Sequence, residues 1–201
     1  MAYTLLHADT ARAIEFATEG LARARNMADP LVIAQALRVL GECARSEGAD
    51  ERAAVCYAES LAVLREIGSA RGQAVVLCDI GKLALNGGDR RHARECLTHA
   101  LTLGRESSDH RRVVTCIEAI ACAAAPSEPG IAAQLLGAAA AWRRRFAVTR
   151  EAPDREAYEA TVRAVRAITG ESVYAAQSER GAHMSLERAA DLALALQTDS
   201  S

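Results

Sequence analysis

A motif that recurs every 40 residues constrains the fold of this chain more than any other feature of its sequence. With an offset of 40, Leu40-Gly41 aligns with Ile80-Gly81, and Gly48 aligns with Gly88. A fixed period of this size is typical of arrays in which each repeat is one supersecondary unit stacked on its neighbours. About three and a half units are predicted over residues 5–146. The other positions that match at this offset are Ala53 with Ala93, Tyr57 with Leu97, Ser60 with Ala100, and Leu61 with Leu101.

Each unit is predicted to be a pair of antiparallel helices. The first helix has a small residue at its middle (Gly41, Gly81 or Ala121), where the partner helix is expected to come close. Glycine follows in the turns at 46–50 and 86–89, where it ends a helix, and Asp50 or Asp89 is placed to cap the next one. No segment alternates polar and apolar residues as a strand does. The sequence therefore predicts an all-α fold.

Composition excludes several classes of protein. The formal net charge is −2, whereas a nucleic-acid-binding surface needs a basic excess, so no direct binding to nucleic acid is expected. No stretch of the sequence reaches the roughly 18 apolar residues of a membrane helix. The first residues, Met-Ala-Tyr-Thr-Leu-Leu-His, do not form the basic and apolar regions of a secretion signal. We therefore expect a cytoplasmic protein that does not contact membranes.

The six cysteines are interpreted as free thiols inside the helices. They do not include a Cys-x-x-Cys pair, which argues against a zinc ribbon or a thioredoxin-like site. Most of them replace alanine in the helical pattern, where a thiol acts as a small apolar group. A disulfide between Cys56 and Cys96 is not expected, because packed helices hold such positions about 8–10 Å apart.

The repeat positions resemble those of the tetratricopeptide repeat, with Leu-Gly, then Gly-Asp in the turn, then Ala, an aromatic or Leu, Ala and Leu. The 40-residue variant is similar to the helical-repeat region of large bacterial LuxR-type ATPase regulators related to the maltose activator. The final third strengthens the resemblance through residues 132–139 (Ala-Ala-Gln-Leu-Leu-Gly-Ala-Ala), 168–171 (Ile-Thr-Gly-Glu) and 184–189 (Met-Ser-Leu-Glu-Arg-Ala). The resemblance covers essentially the whole chain. It implies a right-handed superhelix of antiparallel helix pairs at 5–146, closed by a helical cap at 147–201.

Within the cap, Asp154 and Ser185 are predicted to begin helices, and Gly170 and Gly181 to end them. At the other end, the leading unit has a missing or truncated first helix, so the outer face of the helix at 10–25 is expected to be apolar and unpaired. The chain is then either a fragment of a longer regulator or a stand-alone protein that forms a homodimer through that face.

A concave groove is the predicted binding surface, because the first helices of stacked repeats line it and such scaffolds bind extended peptides there. A solvated groove without a ligand is the competing interpretation. The repeat frame places a mixed set of charged and amide side chains in the groove: Arg38, Glu42, Arg45, Asp79, Lys82, Asn86 and Glu118.

Two other groups of residues could bind a ligand but are more simply explained as ordinary helix surface. His92, Cys96 and His99 recur at i, i+4 and i+7, and histidine and cysteine are good zinc ligands, but the sequence supplies no evident fourth ligand. We expect no metal and no cofactor, and these three residues are only a weak metal candidate. Arg143-Arg144-Arg145 suits a helix C-terminus, where arginine complements the helix dipole, better than an anion site.

The sequence contains none of the phosphate-loop, nucleophile-elbow or His-Glu-x-x-His motifs, so catalysis is not expected. The resemblance implies a non-catalytic module of a bacterial transcription regulator that binds a protein, a peptide or a small effector. The alternative is a stand-alone helical-repeat protein that binds a small molecule or a metal.

Overall fold

The computed structural model describes residues 2–150 and 152–196, with side chains described for 11–150 and 154–196. All regular secondary structure in these ranges is helical, so the predicted all-α fold is confirmed. Successive helices pack in antiparallel pairs along the chain, as a helical-repeat array requires. The helices are α1 (Ala2–Met27), α2 (Pro30–Ser46), α3 (Asp50–Glu66), α4 (Ala70–Asn86), α5 (Arg90–Glu106), α6 (His110–Ala124), α7 (Pro129–Arg145), α8 (Ala152–Thr169), α9 (Glu171–Ala182) and α10 (Leu186–Ala195).

A residue with positive φ ends each of the first five helices, and these residues are 20 positions apart. They are Ala28, Gly48, Gly68, Gly88 and Ser108, with φ between 52° and 81°. Glycine adopts this left-handed conformation without steric cost. The predicted glycine stops at Gly48 and Gly88 are confirmed, and the 40-residue repeat consists of two helices with a 20-residue spacing.

Side-chain caps begin most of the helices that follow these turns. Asp89 accepts a hydrogen bond from the backbone N–H of His92 at 3.0 Å, as the sequence predicts. The prediction for Asp50 is wrong, because Ala49 is the N-cap and Asp50 is already the first residue of α3. Asp50 instead places a negative charge in the first helical turn, where the helix dipole favours it.

The small residue at the middle of each first helix marks the closest approach of its partner, as predicted. A Cβ atom added to Gly41 would lie 2.5 Å from Cε1 of Tyr57, and one added to Gly81 would lie 2.6 Å from Cγ of Leu97. Tyr57 and Leu97 are both fully buried. The large side chain of the second helix therefore occupies the space that glycine leaves on the first.

The exposed face of α1 differs from the sequence prediction. The helix is continuous from residue 2 and packs on α2 through Ala17, Leu21 and Ala24, which are all buried. On its described outer side, Phe16 is 65% exposed. The neighbouring exposed side chains are mostly charged, so this face is mixed and not apolar as expected. The charged members are Arg12, Glu15, Glu19 and Arg23.

The last three helices break the simple pairing. Instead of α8, it is α9 that pairs with α7, and the two backbones meet at glycines. A Cβ atom on Gly137 would overlap the carbonyl oxygen of Ser178, and one on Gly181 would overlap that of Gln134. The predicted stop at Gly181 is wrong because α9 continues to Ala182, and this glycine serves close packing instead. Displaced from the pair, α8 contacts α6, α7 and α9.

The other predicted boundaries of this region are partly confirmed. Gly170, with a φ of 80°, separates α8 from α9. Ser185 is the N-cap of α10 and accepts a hydrogen bond from the N–H of Arg188 at 3.1 Å. Asp154 is not a cap, since α8 begins at Ala152.

One apolar core joins the repeats to the C-terminal helices. It extends from Ala34 on α2 to Ala193 on α10 without interruption, and it includes Val165 of α8 and Tyr174 of α9. A smaller cluster centred on Leu21 and Leu37 holds α1 to α2. Among the described residues, none of the helices has the length and apolar character needed to cross a bilayer.

We expect Gly181→Ala to lower the free energy of unfolding by about 3 kcal/mol, because the new methyl group must push α9 away from the backbone of α7. Urea denaturation monitored by circular dichroism measures this change. Gly130→Ala is the matched control, since a Cβ there meets no atom within 4 Å. Its stability should stay the same or rise by up to about 1 kcal/mol. Equal stability of the two variants would contradict the close contact between α7 and α9.

Candidate functional site

A pocket of about 480 Å³ lies where α8 faces the helices of the repeats. Four of the seven groove residues predicted from the sequence line it: Arg45, Lys82, Asn86 and Glu118. The repeat places these residues on α2, α4 and α6, and α8 covers the groove from the opposite side. The pocket volume is in the range of small-molecule sites in proteins.

The other three predicted groove residues form an ion-pair cluster and do not line the pocket. Nη1 of Arg38 lies 2.5 Å from Oε1 of Glu42, one helical turn away on α2. The same nitrogen lies 3.3 Å from Oδ2 of Asp79 on α4. Asp79 is buried, and its pairing with Arg38 compensates for the loss of hydration. This cluster therefore holds the first helices of two successive repeats together.

Glu118 of α6 is the buried anion at the base of the pocket. Its carboxylate accepts two hydrogen bonds from Arg143, at 2.9 and 2.8 Å, in a bidentate arrangement. Both side chains are more than nine-tenths buried. Arg143 also donates to the hydroxyl of Thr115 at 3.3 Å and to the carbonyl of Thr149 at 3.2 Å. Every nitrogen of this buried guanidinium thus has an acceptor, as burial of a charge requires.

A second guanidinium, that of Arg150, binds the same carboxylate. Its Nε donates to Oε1 of Glu118 at 2.9 Å, and its Nη2 lies 2.7 Å from that oxygen. The guanidinium carbon of Arg150 lies 3.6 Å from the ring centroid of Tyr158 on α8, which is a cation–π contact. Glu118 therefore fixes α7, the segment that follows it and the start of α8. α7 ends at Arg145 as predicted, but Arg143 belongs to the core.

Lys82 joins α4 to α8 on the opposite side of the pocket. Its Nζ lies 2.7 Å from Oδ2 of Asp154, and both side chains are four-fifths buried. Burial by itself lowers the pKa of Lys82, but the electrostatic interactions with Cys78, Asp154 and Asp79 outweigh burial and raise it. Lys82 therefore remains charged and paired with α8.

Arg45 and Arg90 also line the pocket, and the ion pairs described above do not balance their positive charges. Neither lies within ion-pair distance of a carboxylate among the side chains described. Arg45 is in the last turn of α2, and Arg90 is the first residue of α5, directly after the turn that follows Asn86. These two guanidinium groups, together with the amide of Asn86, give this side of the pocket a positive charge.

The remaining wall is largely apolar, and sequence analysis missed most of it. Leu85 and Ala119 contribute from the repeats, and Ala157 and Tyr158 contribute from α8. The repeat pattern identified the positions on α4 and α6, but it contains no information on where α8 docks. The only local signal was the regular apolar spacing of α8, which marks a packed face without naming its partner.

His92, Cys96 and His99 do not form a metal site. Cys96 is buried, and its Sγ lies 3.7 Å from Nε2 of His92, but both histidines are largely exposed. Within residues 11–150 and 154–196, no group of three histidine, cysteine or acidic side chains is placed to hold a metal ion. The weak metal candidate is therefore not brought together by the fold. The described cysteines are all free thiols, in agreement with the sequence prediction.

Comparisons of the chain with protein-family models, with curated proteins and with solved structures find no match.

We expect Glu118→Gln to lower the free energy of unfolding by about 3 kcal/mol or more, because it leaves the buried Arg143 and the nearby Arg150 without their anion. Urea denaturation measures this effect. Glu156→Gln is the matched control, since Glu156 lines the same pocket but is exposed. Its effect should stay within about 0.5 kcal/mol. A Glu118 variant as stable as the control would show that the ion pairs do not hold α8 in place.

Proposed function

We propose that this chain is a non-catalytic effector-binding module, and that its ligand is a small organic anion bound in the pocket between the repeats and α8. The observation that carries the proposal is the pocket itself, whose volume is about 480 Å³ and whose wall combines charged and apolar residues. Small-molecule sites combine apolar surface with convergent polar groups, and in this pocket nine of the fourteen lining residues are charged or polar.

The position of α8 favours a small ligand over an extended peptide. In an open array, a peptide lies along the concave groove and contacts several repeats in turn. Here α8 lies over that groove and is fixed to it by the ion pairs of Lys82 with Asp154 and of Glu118 with Arg150. The covered space admits a compact molecule without displacement of the helix.

The charge balance of the pocket favours an anion. Lys82 and Asp154 neutralise each other, whereas two guanidinium groups share the single carboxylate of Glu118. Arg45 and Arg90 add positive charge, of which Glu156 offsets one unit; Arg90 and Glu156 are both exposed. A carboxylate bound by arginine forms short, directional hydrogen bonds. The apolar wall at Leu85 and Tyr158 suits a ligand with a hydrocarbon or aromatic body.

The resemblance to the repeat region of LuxR-type regulators suggests the role of such a module. We propose that it senses an effector within a bacterial transcription regulator. A ligand that contacts both the repeats and α8 stabilises the arrangement in which these elements are close together. Such a difference in affinity between two arrangements is the physical requirement for transmitting a signal to attached domains.

Benzoate is a suitable probe, because it combines a carboxylate with an aromatic body, and benzamide is its neutral counterpart. We expect benzoate to cause saturable shifts of the backbone amide resonances of Leu85, Ala119 and Thr161, with a Kd of about a millimolar, as is usual for a fragment. Benzamide should bind at least about tenfold more weakly, because it lacks the charge that arginine recognises.

The double variant Arg45→Gln, Arg90→Gln should reduce benzoate affinity by about tenfold, to that of benzamide. Arg91→Gln is the matched control, because Arg91 follows Arg90 in the chain but is 91% exposed and does not line the pocket. Equal binding of benzoate and benzamide would contradict the anion preference. Shifts confined to residues outside the pocket would contradict the site.

A further inference from the structure

A second pocket, with a volume of about 330 Å³, lies where the end of α7 meets the junction of α9 with α10. Its residues come from the last two turns of α7, from Phe146 directly after that helix, from the segment 182–187, and from His110 at the start of α6. It shares no lining residue with the effector pocket beneath α8. It is therefore a separate surface of the molecule, and we call it the Trp142 pocket.

The wall of the Trp142 pocket is mainly apolar and aromatic. Trp142 and Phe146 form an aromatic pair with ring centroids 4.7 Å apart. Met184 and Leu186 contribute from the junction of α9 with α10. Aromatic rings and the adaptable thioether of methionine pack well against an apolar side chain from another molecule. The pocket is at the lower end of the size range of ligand sites, which suits one large side chain.

Phe146 exposes an aromatic ring that its place in the fold does not require. It is the C-cap of α7, and its backbone N–H donates to the carbonyl of Trp142 at 3.1 Å, a role that depends on the backbone alone. Its side chain is 53% exposed. The guanidinium carbon of Arg145 lies 5.5 Å from the centroid of its ring. An exposed aromatic ring at the edge of an apolar pocket marks a surface that a partner can bury.

The surface around the Trp142 pocket is basic. The exposed arginine and carboxylate side chains that line it, or that are next to a lining residue in the chain, are Arg111, Arg144, Arg145, Glu187 and Arg188. Where side chains are described, none of the four arginines lies within ion-pair distance of a carboxylate. The half-buried Asp109 is already paired with Arg71. Since the whole chain has a net charge of −2, this positive excess is local. Its charge is complementary to that of an acidic partner.

We propose that the Trp142 pocket binds an acidic segment of a partner protein. One large apolar side chain of that segment enters the pocket beside Trp142 and Phe146, and the flanking carboxylates contact the arginines at the rim. The inference does not depend on the proposed effector, because the two pockets have no residue in common.

The same observations disfavour two other occupants. A second copy of this chain in a two-fold contact would bring the arginine rims of both copies together, and like charges that face each other oppose association. A bilayer of acidic lipids would match the charge, but its surface is flat, whereas the Trp142 pocket is concave and has the size of a single side chain.

The fluorescence of Trp142 tests the proposal directly, because this residue is the only tryptophan of the chain. The probe is the peptide acetyl-Glu-Asp-Glu-Phe-Glu-Asp-Glu-amide, which contains no tryptophan or tyrosine. We expect it to cause a saturable change in the emission of the full chain, with a Kd of about 0.3 mM. A peptide with alanine in place of phenylalanine should bind at least about tenfold more weakly, because it has no side chain to fill the pocket.

Two variants with matched controls locate the peptide. Phe146→Ala should weaken binding by about fivefold, because it removes half of the aromatic pair. Phe16→Ala is its control, since Phe16 is also exposed but lies on α1. Arg145→Gln should weaken binding by about threefold, as is usual for an exposed ion pair. Arg163→Gln, at an exposed position of α8 outside the pocket, should leave the Kd unchanged.

The dependence on salt and on the type of ligand completes the test. Raising the NaCl concentration from about 25 to about 250 mM should weaken peptide binding severalfold, because salt screens exposed charges. The proposal is wrong if the peptide causes no saturable change up to about 10 mM, or if the alanine peptide binds equally well. It is also wrong if Trp142 responds to phosphatidylglycerol vesicles or to single-stranded oligothymidine but not to the peptide. All of these results can be obtained with the unmodified protein.

Discussion

A left-handed residue at intervals of 20 positions sets the length of every helix from α2 to α5, and the rest of the fold depends on this spacing. Helices of equal length pair along their whole extent, so each repeat buries one continuous apolar face against the next. The close contacts at Gly41 and Gly81 then bring the paired helices near enough for Tyr57 and Leu97 to be fully buried.

The pocket arises where this regularity ends. Since α9 takes the place beside α7 that a regular array would give to α8, the displaced α8 lies over the groove. Glu118 connects the two parts of the molecule, because its carboxylate binds Arg143 within the core and Arg150 next to α8. The same side chain therefore stabilises the fold and forms the base of the proposed effector site.

Lys82 links the repeats to the displaced helix. It extends from α4, and its ammonium group lies 2.7 Å from the carboxylate of Asp154 on α8. Because both side chains are four-fifths buried, this pair is screened less by water than a surface ion pair and helps to hold α8 over the groove.

The sequence by itself determined the helices of the repeats, the pairing of these helices and their inward-facing positions, because these follow from local periodicity and from glycine in turns and at close contacts. It missed the left-handed turns at Ala28 and Ser108, because neither residue is a glycine. Only the tertiary structure decided which partner each charged side chain has. Arg38 pairs with Asp79 across repeats, Arg143 turns into the core, and α8 covers the groove. These contacts join residues that are far apart in sequence, so local sequence patterns contain no information about them.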